Sequence, residues 1–299
     1  MSALADQQHP LRQFVKSNDF FIGIDSDGCA FDTMEVKHKE CFIPNIIKFY
    51  RLSAISKYAR EVAEFLNLYS KWRGINRFPG LVMLMDMLAD RAAVVRRRPR
   101  LPAFSSLRAW IGEETRLANP ALAAKVRATG DAELALALEW SEAVNKSISE
   151  IVVEVPPFPL VRESLASMHG RADVAVVSAT PREALEREWS EHGLIEHVAL
   201  LAGQELGSKK EHLALAAGGR YDPEKILMVG DALGDLEAAR SCGALFYPID
   251  PGCEEEPWQR FFEEGLPRFF AGNYAGPYMN AQLARFLELL PERAPWQRN

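Results

Sequence analysis

Two aspartates separated by one residue follow a short apolar run near the start of the chain. The run is Phe20–Ile24, and Asp25-Ser26-Asp27-Gly28 comes directly after it. Because side chains two apart on a strand share a face, we expect the carboxylates of Asp25 and Asp27 to converge on one point. Two such carboxylates repel each other unless a cation lies between them, and oxygen ligands favour Mg²⁺. Acidic residues after a strand are also common turn and cap formers, so the pair alone leaves both interpretations open.

Further polar side chains follow other apolar runs, much later in the chain. Ser178 ends the run 173–178, and it either caps the next helix or grips an anionic oxygen together with the backbone N–H of Ala179. Lys209 and Lys210 open the helix after the run 198–201. A lysine at a helix start is disfavoured by the helix dipole, so a negative partner is expected unless the side chain is simply solvated.

A second acidic pair, Asp231 and Asp235, follows the run Ile226–Gly230. The two aspartates either cap the next helix or, if the turn between them is helical, face the same side. Each of these features has an ordinary structural explanation when it is taken singly. Together they would place an acid pair, a hydroxyl, a lysine and another acid pair at four strand ends by accident, so we favour the functional interpretation.

The elements that position these residues follow a strand–helix alternation. Five short apolar runs, four of them after position 156 and separated by helical segments, predict a parallel sheet with helices on both faces. Residues 36–150 instead show only helical periodicity, and the prolines at 156, 157 and 159 end that region. The sequence therefore predicts an α/β fold, a Rossmann-like parallel sheet core with an inserted all-helical cap. The expected domains are 1–31 with 156–299 as the catalytic core, and 32–155 as the cap.

Composition limits the class of protein. The chain has 299 residues, 48% hydrophobic residues, 25% charged residues and a net charge of −6, which gives no long-range attraction to nucleic acid or acidic membranes. Met1 to Phe20 contains no apolar core of signal-peptide length, and no run is long enough to span a bilayer. The four cysteines lack Cys-x-x-Cys spacing. We expect a cytoplasmic protein without a zinc site.

The four polar groups, in this order and strand context, resemble the four motifs of the haloacid dehalogenase-like hydrolase superfamily. The resemblance covers residues 18–31 and 156–250, and the helical insert corresponds in position to the cap of that superfamily. Cys29 departs from the pattern, where a threonine or another small residue is usual. We expect this departure to tune the turn without abolishing the chemistry.

The resemblance implies a role for each residue. Asp25 would be the nucleophile that forms an aspartyl-phosphate, and Asp27 would be the general acid and base. Mg²⁺ would be held by Asp25, the backbone carbonyl of Asp27 and Asp231, while Asp235 would complete the surroundings of the metal or orient Lys209. Ser178, Ala179 and Lys209 would hold the phosphoryl oxygens. Lys209 is chosen over Lys210 because Leu213 then lies four residues on, as in the family.

Within the superfamily that the sequence resembles, an acid at position 27 implies phosphate-ester hydrolysis, so the prediction is a Mg²⁺-dependent phosphatase acting on a small phosphorylated metabolite. A phosphosugar mutase and a catalytically silent binding protein with this fold are the alternatives. Arg73 and Arg77 lie in the most polar break of the insert and are the candidates for substrate binding there, unless they belong to an exposed loop. Arg96-Arg97-Arg98-Pro99-Arg100 is interpreted as a solvated loop rather than a nucleic-acid site. A homodimer is compatible with the sequence.

Overall fold

A five-stranded parallel sheet forms the centre of the fold in the computed structural model, which describes residues 8–297. The sheet order is β3-β2-β1-β4-β5. The strands are β1 Phe20–Ile24, β2 Ala172–Val177, β3 Leu200–Ala202, β4 Ile226–Gly230 and β5 Leu245–Pro248. The predicted α/β fold class, with a parallel sheet and an all-helical insert, is confirmed.

Strand β1 is central although it comes first in the chain. Phe20 pairs with Ala172 of β2, and Phe21 pairs with Ile226 of β4. Alternate residues enter separate clusters of buried side chains, with Ile22 and Ile24 in one cluster and Phe21 in the other. Both faces of the sheet are therefore covered, which explains why the strands consist of continuous apolar runs.

Helices follow each strand after the insert, as the alternation predicts. Leu185 and Trp189 pack in one of the two clusters, while Leu213 and Leu236 pack in the other. The α-helices that pack around the sheet are His9–Arg12, Val161–Met168, Arg182–Glu191, Lys209–Ala216, Leu233–Ser241, Glu255–Arg260, Leu266–Phe270 and Pro277–Leu289. A π-helical segment, Phe261–Gly265, joins two of them.

The insert consists of helices and the loops that join them. A short helix, Thr33–Val36, leads into it. Its segments are a π-helix at Lys37–Phe42 and α-helices at Ile43–Phe49, Ser56–Leu68, Arg77–Asp90, Ala92–Val95, Ser105–Glu113, Asn119–Thr129 and Ala132–Ile151. Its interior is a cluster of its own that includes Phe78, Phe104, Trp110 and Trp140. Asp131 caps the last helix, since its carboxylate accepts from the N–H groups of Glu133 and Leu134.

The chain forms two compact units. One, the α/β unit, consists of residues 8–34 and Glu154–Leu290; the other, the helical unit, consists of Glu35–Val153 and residues 291–297. The predicted domain bounds, 1–31 with 156–299 and 32–155, remain predictions, because compact packing does not test whether either part folds or functions alone. Residues 1–7, part of the segment in which we predict no signal peptide, lie outside the described residues, as do residues 298 and 299. Within residues 8–297, the helices are all too short or too polar to cross a membrane.

Candidate active site

Three carboxylates meet at the edge where the strands of the sheet end. Asp25 follows β1 and Asp231 follows β4, the strand that pairs with β1. Together with Asp235 they offer ligand atoms that all lie within 4.8 Å of one another. The three residues are 5%, 1% and 0% exposed, so the charge cluster is buried. Parallel pairing of β1 and β4 thus brings together residues that are about two hundred positions apart in the sequence.

Gly230 leaves the space that the side chain of Asp235 occupies. A Cβ atom at position 230 would lie 2.5 Å from both the Cβ and the Cγ atoms of Asp235, closer than carbon atoms can pack. One oxygen of Asp235 also accepts a hydrogen bond from the backbone N–H of Ala232 at 3.1 Å. The glycine that ends β4 is therefore required by the position of this carboxylate.

Lys209 supplies the positive charge of the cluster. Its Nζ atom lies 2.6 Å from Asp25 Oδ2 and 2.6 Å from Asp235 Oδ1. The helix that begins at Lys209 is anchored by a capping box, in which Ser208 and Glu211 satisfy each other's backbone N–H groups. Lys210 is exposed to solvent. Of the two adjacent lysines, the structure brings Lys209 to the carboxylates.

The electrostatics of the cluster reflect its burial. Burial raises the pKa of Asp25 to about 6, Lys209 opposes this shift, and the charge of Asp231 adds to it. Burial likewise raises the pKa of Asp235 to about 6 against the effect of Lys209. Burial alone would lower the pKa of Lys209, but the carboxylates of Asp235 and Asp25 raise it, so the lysine stays charged. Three carboxylates around one ammonium leave a negative surplus when all are ionised, and their oxygen atoms are the donors that Mg²⁺ prefers.

Asp27 does not join this cluster. Strand β1 ends at Ile24 and the chain turns at Gly28, which has a φ of +75°, so the alternation of a strand does not extend through Asp27. Its carboxylate instead accepts hydrogen bonds from Thr180 Oγ1 at 2.7 Å and from Thr33 Oγ1. Asp27 is half-buried and so more accessible than Asp25. Its predicted roles as general acid and as metal ligand remain predictions.

Ser178 and Ala179 follow β2, the other neighbour of β1. Ser178 is buried, and its backbone N–H donates to the carbonyl of Ala202 at 3.0 Å. Its hydroxyl accepts from the N–H of Thr180 at 3.2 Å. The next helix begins at Arg182, so Ser178 shapes the turn before that helix rather than capping it. Ala179 is exposed.

Two tryptophans, neither identified from the sequence, contact the loop between the aspartates and Phe31. Trp189 Nε1 donates to Ser26 Oγ at 3.0 Å, and Trp258 Nε1 donates to the carbonyl of Cys29 at 2.7 Å. Burial raises the pKa of the Cys29 thiol well above its ordinary value, so this residue is an uncharged packing group. The sequence around Trp258 gives no signal for this contact, because the two residues are joined only by the tertiary fold.

The candidate substrate residues of the insert, Arg73 and Arg77, are anchored inside the helical unit. Arg73 is buried and donates from Nη1 to the carbonyl of Leu68 at 2.9 Å. Arg77 Nη1 donates to Ser141 Oγ at 2.8 Å and to Asn145 Oδ1 at 2.7 Å. Burial lowers the pKa of Arg77 to about 10. Their predicted contact with substrate remains a prediction.

Comparison with known proteins identifies the family. The family model for haloacid dehalogenase-like hydrolases matches residues 25–243, which is most of the chain. This protein belongs to the haloacid dehalogenase-like hydrolases. The match begins at Asp25 and spans the insert as well as Ser178, Lys209, Asp231 and Asp235. The match therefore supports the prediction that this protein is an enzyme, and it confirms the predicted family.

Solved structures of haloacid dehalogenase-like proteins are similar to this chain at low sequence identity. A subfamily IA hydrolase from Geobacter sulfurreducens has 18% identity and a TM-score of 0.37, covering 78% of this chain and 90% of its own. A protein proposed to be a beta-phosphoglucomutase from Thermotoga maritima has 16% identity and a TM-score of 0.45, with coverages of 81% and 96%. One proposed to be a phosphoglycolate phosphatase from Lactobacillus delbrueckii subsp. bulgaricus has 14% identity and a TM-score of 0.48, with coverages of 83% and 92%. No curated protein matches the sequence.

Proposed function

We propose that this hydrolase is a Mg²⁺-dependent phosphatase that acts on a small phosphorylated metabolite through an aspartyl-phosphate on Asp25. The observation that carries the proposal is the buried cluster of Asp25, Asp231 and Asp235 around Lys209. Burying several charges costs folding free energy. Such a cluster is therefore unusual in the interior of a protein that does not use it for catalysis or binding.

Asp231, Asp235 and Asp25 are the residues proposed to hold Mg²⁺, with the Asp27 backbone carbonyl. A bound Mg²⁺ ion would screen the negative charge of the phosphate from that of the nucleophile. The fit rests on the donor set, because the three carboxylates supply only oxygen atoms and lie close enough together to share one small cation.

The reaction is proposed to take two steps. A carboxylate oxygen of Asp25 attacks phosphorus, and the bond from phosphorus to the ester oxygen breaks as that oxygen takes a proton from Asp27. Asp27 then removes a proton from water, whose oxygen attacks phosphorus and releases inorganic phosphate and the Asp25 carboxylate. Lys209, Ser178 and the backbone N–H of Ala179 are proposed to stabilise the phosphoryl oxygens.

The insert, residues 32–155, is proposed to be the cap that selects the substrate. Arg73 and Arg77 are its candidate substrate-binding residues. Within residues 8–297 the side-chain contacts of Arg77 are to neutral groups, Ser141, Asn145 and the ring of Phe42, so an anionic group of a substrate would be its first charged partner. The proposal includes a cytoplasmic location and no nucleic-acid or membrane partner.

Phosphate release from 4-nitrophenyl phosphate tests the proposal. We expect activity with Mg²⁺, loss of activity with a chelator and recovery when Mg²⁺ is restored. Asp25→Asn should abolish turnover, lowering kcat at least about 10³-fold, because the nucleophile is lost. Asp222→Asn, at an exposed carboxylate of the same unit, is the matched control. Undiminished turnover by Asp25→Asn would refute the assignment of the nucleophile.

A panel of phosphorylated metabolites, compared by kcat/KM, then identifies the substrate class. A reaction that needs a bisphosphate primer and whose product keeps its phosphate would indicate the phosphosugar mutase. A protein that binds such a metabolite but releases no phosphate from any ester would indicate the silent binding protein.

A further inference from the structure

Two threonine hydroxyls hold the carboxylate of Asp27, and neither has a role in the proposed two-step reaction. Thr180 Oγ1 donates to Asp27 Oδ2 at 2.7 Å, and Thr33 Oγ1 donates to Oδ1. Thr33 lies six residues after Asp27, whereas Thr180 belongs to the loop that follows β2. The two contacts therefore reach both oxygens of one carboxylate from separate parts of the α/β unit.

Hydrogen bonds hold the backbone of Thr180 at both its N–H and its carbonyl. Its N–H donates to Ser178 Oγ at 3.2 Å, and its carbonyl accepts from the N–H of Gln204 at 3.0 Å. The second contact depends on Gly203, because a Cβ atom there would lie 2.9 Å from the Thr180 carbonyl oxygen and 2.7 Å from Arg182 N. A threonine has few χ1 rotamers, so a fixed backbone also fixes the direction of its hydroxyl.

Fixing the carboxylate in this way matters for proton transfer. A general acid must lie within about 2.6–3.2 Å of the atom that it protonates, and a carboxylate that rotates freely spends little time there. Each carboxylate oxygen has two lone-pair sites, so an oxygen that accepts from threonine can still carry the proton for the leaving group. Accepting hydrogen bonds from the threonines therefore does not prevent Asp27 from carrying the proton.

We propose that Thr180 is a positioning residue for the acid–base step, holding Asp27 in line with the leaving oxygen, with Thr33 as its partner on the other carboxylate oxygen. The inference rests on the proposed function, because it takes Asp27 to be the general acid. The turn that contains Ser178 then also orients the acid through Thr180, so one loop positions both the phosphoryl group and the proton donor.

Two aryl esters separate this role from a structural one. The leaving oxygen of phenyl phosphate is basic and needs the proton from Asp27, whereas that of 2,4-dinitrophenyl phosphate leaves readily without it. We expect Thr180→Val to lower kcat/KM for phenyl phosphate about tenfold and to change that for the dinitrophenyl ester by less than about twofold. Thr180→Ser keeps the hydroxyl and should retain activity on both esters within about threefold of the wild type.

Two further variants complete the experiment. Thr129→Val removes an exposed threonine hydroxyl that bonds to the Lys125 carbonyl in the helical unit, and it should leave both esters unaffected. Thr33→Val should repeat the selective loss on phenyl phosphate, and it provides the test if Thr180→Val does not fold, as judged by its thermal unfolding.

The outcomes are distinct. Equal losses on the two esters, in whichever of the two valine variants folds, would overturn the inference, because such losses indicate a general effect on the site. A loss in Thr180→Ser as large as in Thr180→Val would also overturn it, since the methyl group would then be the important part. If the wild-type protein hydrolyses neither ester, the proposed function fails, and the positioning role of Thr180 fails with it.

Discussion

The α/β unit buries a cluster of carboxylates, whereas apolar side chains fill most of the interior of the helical unit. The α/β unit holds Asp25, Asp231 and Asp235 in its interior, with Lys209 bridging two of them. In the helical unit, large apolar residues such as Trp110 and Trp140 fill most of the interior, and the pair of Arg108 with Asp86 lies at the surface. Arg73 is buried there too, but its guanidinium donates to a backbone carbonyl. A surface pair costs little and contributes little, whereas a buried charge needs partners to persist. The contrast supports the proposal that the nucleophile and the metal ligands lie in the α/β unit.

Removing the ammonium from the buried cluster should have the largest effect. Lys209→Met keeps most of the length of the side chain but leaves the buried carboxylates without their cation. At pH 7 without added Mg²⁺, we expect the free energy of unfolding to fall by about 3 kcal/mol, because buried charges lose their partner. Phosphate release should fall at least about 100-fold, because the group proposed to stabilise the phosphoryl oxygens is lost.

Lys210→Met is the matched control for this prediction. Lys210 is the next residue of the same helix but is exposed, so its loss should change stability by less than about 0.5 kcal/mol. Urea unfolding and phosphate release measure both variants. If Lys209→Met and Lys210→Met change stability and phosphate release equally, the buried lysine is no more important than the exposed one.

A single added methyl group at the end of β4 tests how much displacement the cluster tolerates. Gly230→Ala places a Cβ atom where the Asp235 side chain now lies, so Asp235 must move. We expect kcat/KM to fall about 100-fold, as for other displacements of about 1 Å at an active site. We also expect a loss of about 1–3 kcal/mol in stability, because the site becomes overpacked.

Gly234→Ala serves as the comparison for that variant. A Cβ atom at position 234 meets nothing within 4 Å, and the residue lies in the helix Leu233–Ser241. Its stability should rise by up to about 1 kcal/mol, because alanine favours a helix over glycine. Thermal unfolding and steady-state kinetics distinguish the two glycines, and an active Gly230→Ala protein would show that the position of Asp235 is not critical.

Asp173 of β2 shows that a buried charge in the α/β unit can also be structural. Its carboxylate accepts from Tyr221 Oη at 2.5 Å and from the backbone N–H groups of Ser17 and Asn18 at 2.8 and 2.9 Å. Burial would raise the pKa of Asp173, but these hydrogen bonds outweigh it and lower the pKa below its usual value. Because the folded state binds the proton less tightly than the unfolded chain does, this residue stabilises the fold at neutral pH.

We expect Asp173→Asn to be about 1–2 kcal/mol less stable than the wild type at pH 7. The difference should shrink as the pH falls below about 3.9, the ordinary value for aspartate, and through the lower pKa of the folded state. Urea unfolding from pH 7 to pH 3 measures it. A difference that does not change with pH would mean that the ionised carboxylate is not what these donors stabilise.

The smallest effect is expected in the helical unit. Asp131→Ala removes the cap of the helix Ala132–Ile151, and stability should fall by about 1 kcal/mol. Phosphate release from 4-nitrophenyl phosphate should stay within about twofold of the wild type, because Asp131 lies outside the α/β unit. Asp90→Ala, at an exposed helix end in the same unit, should leave both quantities unchanged. A selective loss of activity in Asp131→Ala would show that helix capping there matters to the reaction.

The sequence predicted the sheet and the clustered carboxylates because their signals are local. Apolar runs that end in polar residues identify β1 and β4 with the bounds that the structure has, and parallel strands bring their ends to one edge. We expected Asp25 and Asp27 to share a face because we assumed that the strand continues through both, but β1 ends at Ile24. The N–H of Asp25 still donates to the Val229 carbonyl of β4 at 3.0 Å, but the chain then turns, so strand periodicity does not carry over to Asp27.

Contacts that cross long stretches of sequence could not be predicted. Thr180 lies two residues after Ser178, and its hydroxyl at a sheet edge is a signal that could have singled it out. Its hydrogen bond to Asp27 and the closeness of Gly203 to its carbonyl, however, depend on loop conformations. Trp258 gives no local signal at all, and the packing of residues 291–297 with the helical unit depends on tertiary contacts that no sequence pattern records.

The central place of β1 in the sheet bears on how the protein is made. Phe20 pairs with Ala172 and Phe21 with Ile226, so this strand leaves the ribosome well before either of its neighbours is synthesised. At about 5–20 residues per second, the nascent strand waits roughly 7–30 s before β2 emerges. During that time an apolar segment without a partner is a binding site for chaperones and a starting point for aggregation.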